Sequence, residues 1–207
     1  MVNGSHITEI VLPWFNDRAL DFTDKYYRVP PLTFLEIGCW QGKHISNSFE
    51  LEQAGWQGIC VDPFPSDFSG RSARLIRKAI SRDGKPRDFV RVFRDRRHGG
   101  DVSYFSGFKD SISFHWPLIS EHCDYIEGPI ETIRFDDIGT PLHTNFLSID
   151  VEGAELEIIS SIDFSKYSFD MIMYEHNGVD NGVSELLESA GYKLYKRLEI
   201  DNIFVKK

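Results

Sequence analysis

The chain has 207 residues, 41% of them hydrophobic and 27% charged, with a formal net charge of −9. That length allows one domain with a substantial core and needs no disulfide or metal scaffold. The acidity argues against nucleic acid as a partner, and no apolar stretch approaches the ~18 residues of a membrane span, so no membrane partner is expected.

Residues 1–31 carry apolar and aromatic positions (Ile10, Val11, Trp14, Phe15, Phe22, Tyr26, Tyr27) at loosely helical spacing, closed by Val29-Pro30-Pro31. This segment reads either as a cap over a substrate or as a helix packed on the rest of the fold. Residues 33–37 read as a buried strand. A helix with Ile45 and Phe49 on one face follows and stops at Gly55. A second strand, 58–61, ends at Asp62 and is halted by Pro63 and Pro65. A third is expected over 75–80, and an inserted hairpin over 89–93 and 102–105.

Strand 145–150 leads into a helix at 154–161, and the apolar run 171–174 ends in Glu175. A helix over 182–190 is capped by Gly191. The last strands, 192–198 and 202–206, have only three residues between them and must be antiparallel. Strands alternating with helices imply an α/β fold whose mostly parallel sheet is covered on both faces. In such sheets a ligand sits beyond the carboxyl ends of the strands. Glu36 with Gly38, Asp62, Asp150 with Glu152, and Glu175 stand at four such ends and are expected to share one crevice.

Between Arg71 and Arg97 lie eleven Lys/Arg against three Asp, a local excess of +8 in an acidic chain. Two readings stand: a solvated outer face, or a rim that attracts an anionic substrate or partner. Cys39, Cys60 and Cys123 show no CxxC spacing, which speaks for a reducing compartment and against structural zinc. The N-terminus has no basic region followed by an apolar core, so a cytoplasmic location is expected.

The turn Glu36-Ile37-Gly38-Cys39-Trp40-Gln41-Gly42 is not the GxGxxG dinucleotide fingerprint, because Trp40 stands where the second glycine would be. Asp62 ends the next strand, where an acid accepts hydrogen bonds from two ribose hydroxyls. Together these features point to an adenosine ligand without a phosphate chain. At this point FLEIGCWQGKH, GICVDPFP, KAISRDG, ETIRFDDI and FLSIDVEGAELEIISSIDFSKYSFDMIMYEHNG resemble the FkbM-type S-adenosylmethionine-dependent methyltransferases.

The resemblance implies a Rossmann-like class I methyltransferase fold over residues 32–207, with a mostly parallel seven-stranded sheet and a C-terminal antiparallel hairpin. Its cofactor is S-adenosyl-L-methionine. Carried onto this sequence, Glu36, Gly38 and Gly42 line the methionine and ribose, Asp62 holds the ribose hydroxyls, and Ala79 and Ile80 lie near the adenine. Asp150 falls near the methionine amino group or the reacting centre. The chain departs from the family at Cys39-Trp40, where Ala-Asn is usual, and Trp40 either crowds the methionine end or walls the substrate. The stretch after Asp62 is short, so its helix is expected to be reduced.

The implied reaction is O-methylation of a hydroxyl on a small molecule or glycan. A hydroxyl acceptor must lose a proton, which calls for a base or a metal-bound alkoxide. Asp150, Glu175 and His176 are the candidate catalytic residues. Asp150, Glu152, Glu175 and His176 together also suit Mg²⁺ or Mn²⁺. Glu155 belongs to the first turn of its helix, and His115 and His122 are further candidates for an acceptor pocket. A catalytically silent S-adenosylmethionine-binding protein and a nicotinamide-dependent oxidoreductase are the rival readings, and self-association stays open.

Overall fold

Continuous apolar runs, rather than alternating ones, build the centre of this fold. The computed structural model describes residues 4–19, 31–178 and 182–207. The first half runs α1 (Gly4–Ala19), β1 (Thr33–Ile37), α2 (Phe49–Gln53), β2 (Gln57–Val61), β3 (Arg74–Ile76), β4 (Ala79–Ile80), β5 (Arg87–Asp95) and β6 (Gly107–Phe108). The second half runs α3 (Trp116–His122), β7 (Cys123–Ile130), β8 (Thr132–Ile133), β9 (His143–Ile149), α4 (Glu155–Ser161), β10 (Ser168–Glu175), α5 (Val183–Ser189), β11 (Tyr192–Arg197) and β12 (Asp201–Lys206).

Seven strands form the main sheet in the order β11-β12-β10-β9-β1-β2-β3. From β3 to β10 every pairing is parallel, and β12 is antiparallel to both its neighbours. Successive residues of β1 serve opposite faces. Leu35 and Ile37 pack with Ile158 and Ile159 of α4 and with Val183 and Leu187 of α5. Phe34 faces the other way, toward Ile7 and Val11 of α1 and Leu51 of α2. Each fully buried side chain of this size contributes about 1.5–3 kcal/mol, and burial on both faces is why these strands show no polar alternation.

Three expected elements differ from the observed ones. The helix expected around Ile45 is confined to α2, and Ile45 itself has φ 66°. Its place is taken by a loop folded over Glu36, whose carboxylate accepts hydrogen bonds from Ser46 Oγ (2.8 Å), Asn47 N (2.6 Å) and Ser48 Oγ (2.5 Å). Bonds of this kind compete with the helix ladder. The strand expected over 75–80 breaks in two: β3 pairs with β2, whereas β4 leaves the sheet to pair with β8.

The inserted hairpin is larger than expected. β5 pairs antiparallel with β7, some thirty residues later, and also with β6, while Ser103–Phe105 forms a 3-10 turn. Nothing helical lies between β2 and β3, in line with the short stretch after Asp62. Of the N-terminal helical segment, α1 is described; Phe22, Tyr26, Tyr27 and Val29-Pro30 lie outside the described residues.

The ends of β1 and β9 meet at close range. Asp150 N donates to Ile37 O at 2.9 Å, and Gly38 N donates to Val61 O at 2.8 Å. Gly38 has φ +86°, and a Cβ placed on it would stand 1.7 Å from the carbonyl oxygen of Asp150. Glycine is demanded here by the neighbouring strand end as much as by any ligand. Gly38→Ala should lower stability by about 3 kcal/mol, read as a fall in the urea midpoint at unchanged slope.

Candidate active site

A cavity of about 320 Å³ opens beyond the carboxyl ends of β1, β2 and β9. Gly38, Asp62, Asp150 and Glu152 form its strand-end side, and Ala79 and Ile80 of β4 flank it. The opposite wall belongs to the three-stranded sheet β6-β5-β7: Phe89, Arg91 and Phe93 of β5 face the cavity, with Phe108 of β6. The intervening Val90 and Val92 turn into a small separate core, as the period of two requires.

Asp62 is anchored but not exhausted. Its Oδ2 accepts from Trp40 N at 2.9 Å and its Oδ1 from Phe64 N at 2.8 Å. Each oxygen retains a lone pair for a further donor. Burial lifts its pKa to about 6. Trp40 adopts φ 41° and ties two walls together, since its indole Nε1 donates to Ser103 Oγ at 2.7 Å. Its ring meets Tyr104 edge to face at 5.4 Å. The residue therefore walls the cavity.

Glu36 corrects the expectation that it lines the methionine. It is buried and points to the α1–α2 face, where Ser46, Asn47 and Ser48 hold its carboxylate. The Arg71 guanidinium joins that cluster through Ser46 (3.1 Å), Ser48 (2.8 Å) and Glu52 (2.6 Å). Gly42 is also off the cavity wall; its N–H closes the turn on Cys39 O at 2.7 Å.

Asp150, Glu152 and Glu175 each offer a carboxylate oxygen within 4.8 Å of the other two. Burial, and then the charges of Glu175 and Glu152, raise the pKa of Asp150 well above the usual carboxylate range. Burial and Glu152 lift Glu175 to about 8, while a hydrogen bond with Asp150 works the other way. Asp201, opposite Glu175 on β12, is raised to about 6 by burial. The pair Asp150–Glu175 thus holds a proton where two anions would repel.

Glu155 stands apart from this set. Its Oε1 accepts from the N–H groups of Val151 and Gly153, both at 3.1 Å, and fixes the turn into α4. Burial brings its pKa to about 7. His176 is not among the clustered acids: its Nδ1 accepts from Gly178 N at 2.9 Å, closing its own turn. A different histidine reaches the acids. His115 Nε2 lies 2.8 Å from Glu152 Oε2, and among the described residues neither atom has another hydrogen-bond partner. Glu152 itself sits at φ 57°, a left-handed conformation that costs about 1–3 kcal/mol and tends to occur at functional sites.

Residues 38–194 match the family described as the methyltransferase FkbM domain. The chain belongs to that family. No similar curated protein was found for it. The α/β architecture, with its mostly parallel central sheet, fits a methyltransferase fold. The matched stretch begins at Gly38, spans every cavity-lining residue except Ile37, and ends within β11. Among the described residues no helix is long and apolar enough to cross a membrane.

Several residues on the wall of this FkbM domain escaped sequence reasoning. Phe64, Phe89, Arg91, Phe93 and Tyr104 all line the cavity. The alternation Phe89-Val90-Arg91-Val92-Phe93 was a usable signal for the β5 face. His122 lies only 3.7 Å from its neighbour Glu121 and is not on the cavity wall.

The raised carboxylates have a pH consequence. Folded Glu175 keeps its proton up to about 8, whereas its ordinary value is 4.5, so the native state binds more protons than the unfolded chain in that window. The corresponding stability is full below the lower value and is lost as the pH rises through the upper one. The urea midpoint should therefore fall from pH 5 to pH 8, and Glu175→Gln should flatten the fall; a midpoint that rises over this range would show that these acids are ionised in the folded protein.

Proposed function

We propose that this protein is an S-adenosyl-L-methionine-dependent O-methyltransferase acting on a hydroxyl of a small molecule or glycan, with its sheet serving as the Rossmann-like sheet of the class I enzymes. The observation that carries this reading is that Asp62, Asp150 and Glu152 border one cavity at the ends of β2 and β9, with the Glu175 carboxylate within 4.8 Å of the last two. Within the family, that combination suits a cationic adenosine ligand and an acceptor that must lose a proton.

When bound, S-adenosyl-L-methionine supplies a methyl group activated by its sulfonium. Asp62 accepts the ribose hydroxyls on its remaining lone pairs. Ala79, Ile80 and the ring of Phe64 offer apolar surface to the adenine. The Asp150–Glu175 pair acts as the base once Glu175 has given up the proton that it holds up to about 8, and Asp150 then takes the proton of the acceptor hydroxyl. The cavity walls hold donor and acceptor in line, a positioning effect worth up to about 7–11 kcal/mol.

Asp150, Glu152 and Glu175 also form a donor set that fits a hard divalent cation. Mg²⁺ or Mn²⁺ held there would lower the pKa of an acceptor hydroxyl.

Asp62→Ala should weaken S-adenosyl-L-methionine binding by about 1.5–3 kcal/mol in calorimetry, the range for hydrogen bonds to a charged group; unchanged affinity would remove the ribose from this strand end. In a separate titration, Mn²⁺ should bind saturably and Asp150→Asn should weaken it more than about tenfold. A flat Mn²⁺ titration would leave the carboxylate pair to act as base without a metal.

A further inference from the structure

The cations of the basic stretch are not equivalent once their partners are known. Arg71, Arg87 and Arg97 each face a carboxylate, and Arg74 donates to the carbonyl of Ile138. Arg91 and Lys78 differ from these. Both line the cavity, and among the described residues neither side chain has a hydrogen bond or an ion pair.

Arg91 is held in place all the same. Its guanidinium lies 4.5 Å from the ring centroid of Phe64 and 5.0 Å from that of Phe93. Stacking on aromatic faces occupies the flat sides of a guanidinium and leaves its in-plane N–H donors free. Those donors form a fork that matches two oxygens of a carboxylate, phosphate or sulfate. The cavity accordingly has two signs: carboxylates at the strand ends, and two unpaired cations on Arg91 and Lys78.

We propose that Arg91, assisted by Lys78, is an oxyanion subsite, and that the acceptor methylated in this cavity carries an anionic group docked there. The inference rests on the methyltransferase reading above. A donor of net positive charge belongs with the strand-end acids, which leaves the cations for its reaction partner. The rival occupant is the donor's own carboxylate.

The test begins with calorimetry of S-adenosylhomocysteine on the wild-type chain; no binding would overturn the methyltransferase reading itself. Inorganic phosphate is then titrated into protein saturated with S-adenosylhomocysteine, and the arginine side-chain N–H signals are followed by NMR. Saturable binding is expected, weakened about tenfold by Arg91→Gln, the loss of a charge-assisted pair. Arg91→Lys should recover only part of it, and Lys78→Gln should weaken it less than Arg91→Gln. S-adenosylhomocysteine affinity should change by less than about twofold in every variant that keeps the wild-type melting transition. Phosphate binding unmoved by Arg91→Gln would overturn the subsite, and a matching loss of S-adenosylhomocysteine affinity would assign Arg91 to the donor carboxylate instead.

Discussion

The approach of β9 to β1 governs the rest of this molecule. The carbonyl of Asp150 occupies the volume that a side chain at position 38 would need, so the two strand ends can close only over a glycine. Once closed, they fix where the Asp150 side chain emerges and how the turn through Glu152 must run. The same closure sets Asp62 one strand away, because β2 pairs with β1 in register from Gln57 to Val61. Site geometry is thus an outcome of sheet packing, with rigid strands rather than loops presenting the acids.

Acids so placed repel one another, and the fold answers this in two ways. Glu155 is neutralised locally by backbone N–H groups at the start of α4. Asp150 and Glu175 are left to each other, and Glu152 to a histidine from the insert. The insert is therefore more than an added wall. Through His115 it touches the acidic turn, through Ser103 it holds the indole of Trp40, and a Cβ on Gly153 would stand 2.4 Å from the carbonyl oxygen of Ser111. Three contacts from the connecting turns of one insert help to close the space that the parallel strands open.

Much of this was legible in the sequence because parallel strands buried on both faces must be apolar throughout. Runs such as Phe146-Leu147-Ser148-Ile149, bounded by acid, locate β9 and β10 and place Asp62, Asp150 and Glu175 at their strand ends. Glu36 was misread because motif position says nothing about direction. It is one residue from Ile37 and so faces the opposite side, where Ser46–Ser48, in the stretch expected to be helical, form a loop that binds it. β7 was missed because Cys123–Ile130 contains Gly128 and Pro129 and only Cys123 in it is buried, which hides any strand period. Its pairing with β5, and the reach of His115 to Glu152, are long-range facts that no local pattern encodes.

The position of Trp40 gives the protein an optical property of its own. Of the four tryptophans, Trp14 and Trp56 are buried, and Trp116 leans on Tyr125 with centroids 5.5 Å apart. Trp40 is the tryptophan on the cavity wall. Whatever fills that space changes the polarity around a single indole whose N–H is already committed to Ser103. Emission from this chain therefore carries a built-in occupancy signal, from an indole that is less buried than that of Trp56.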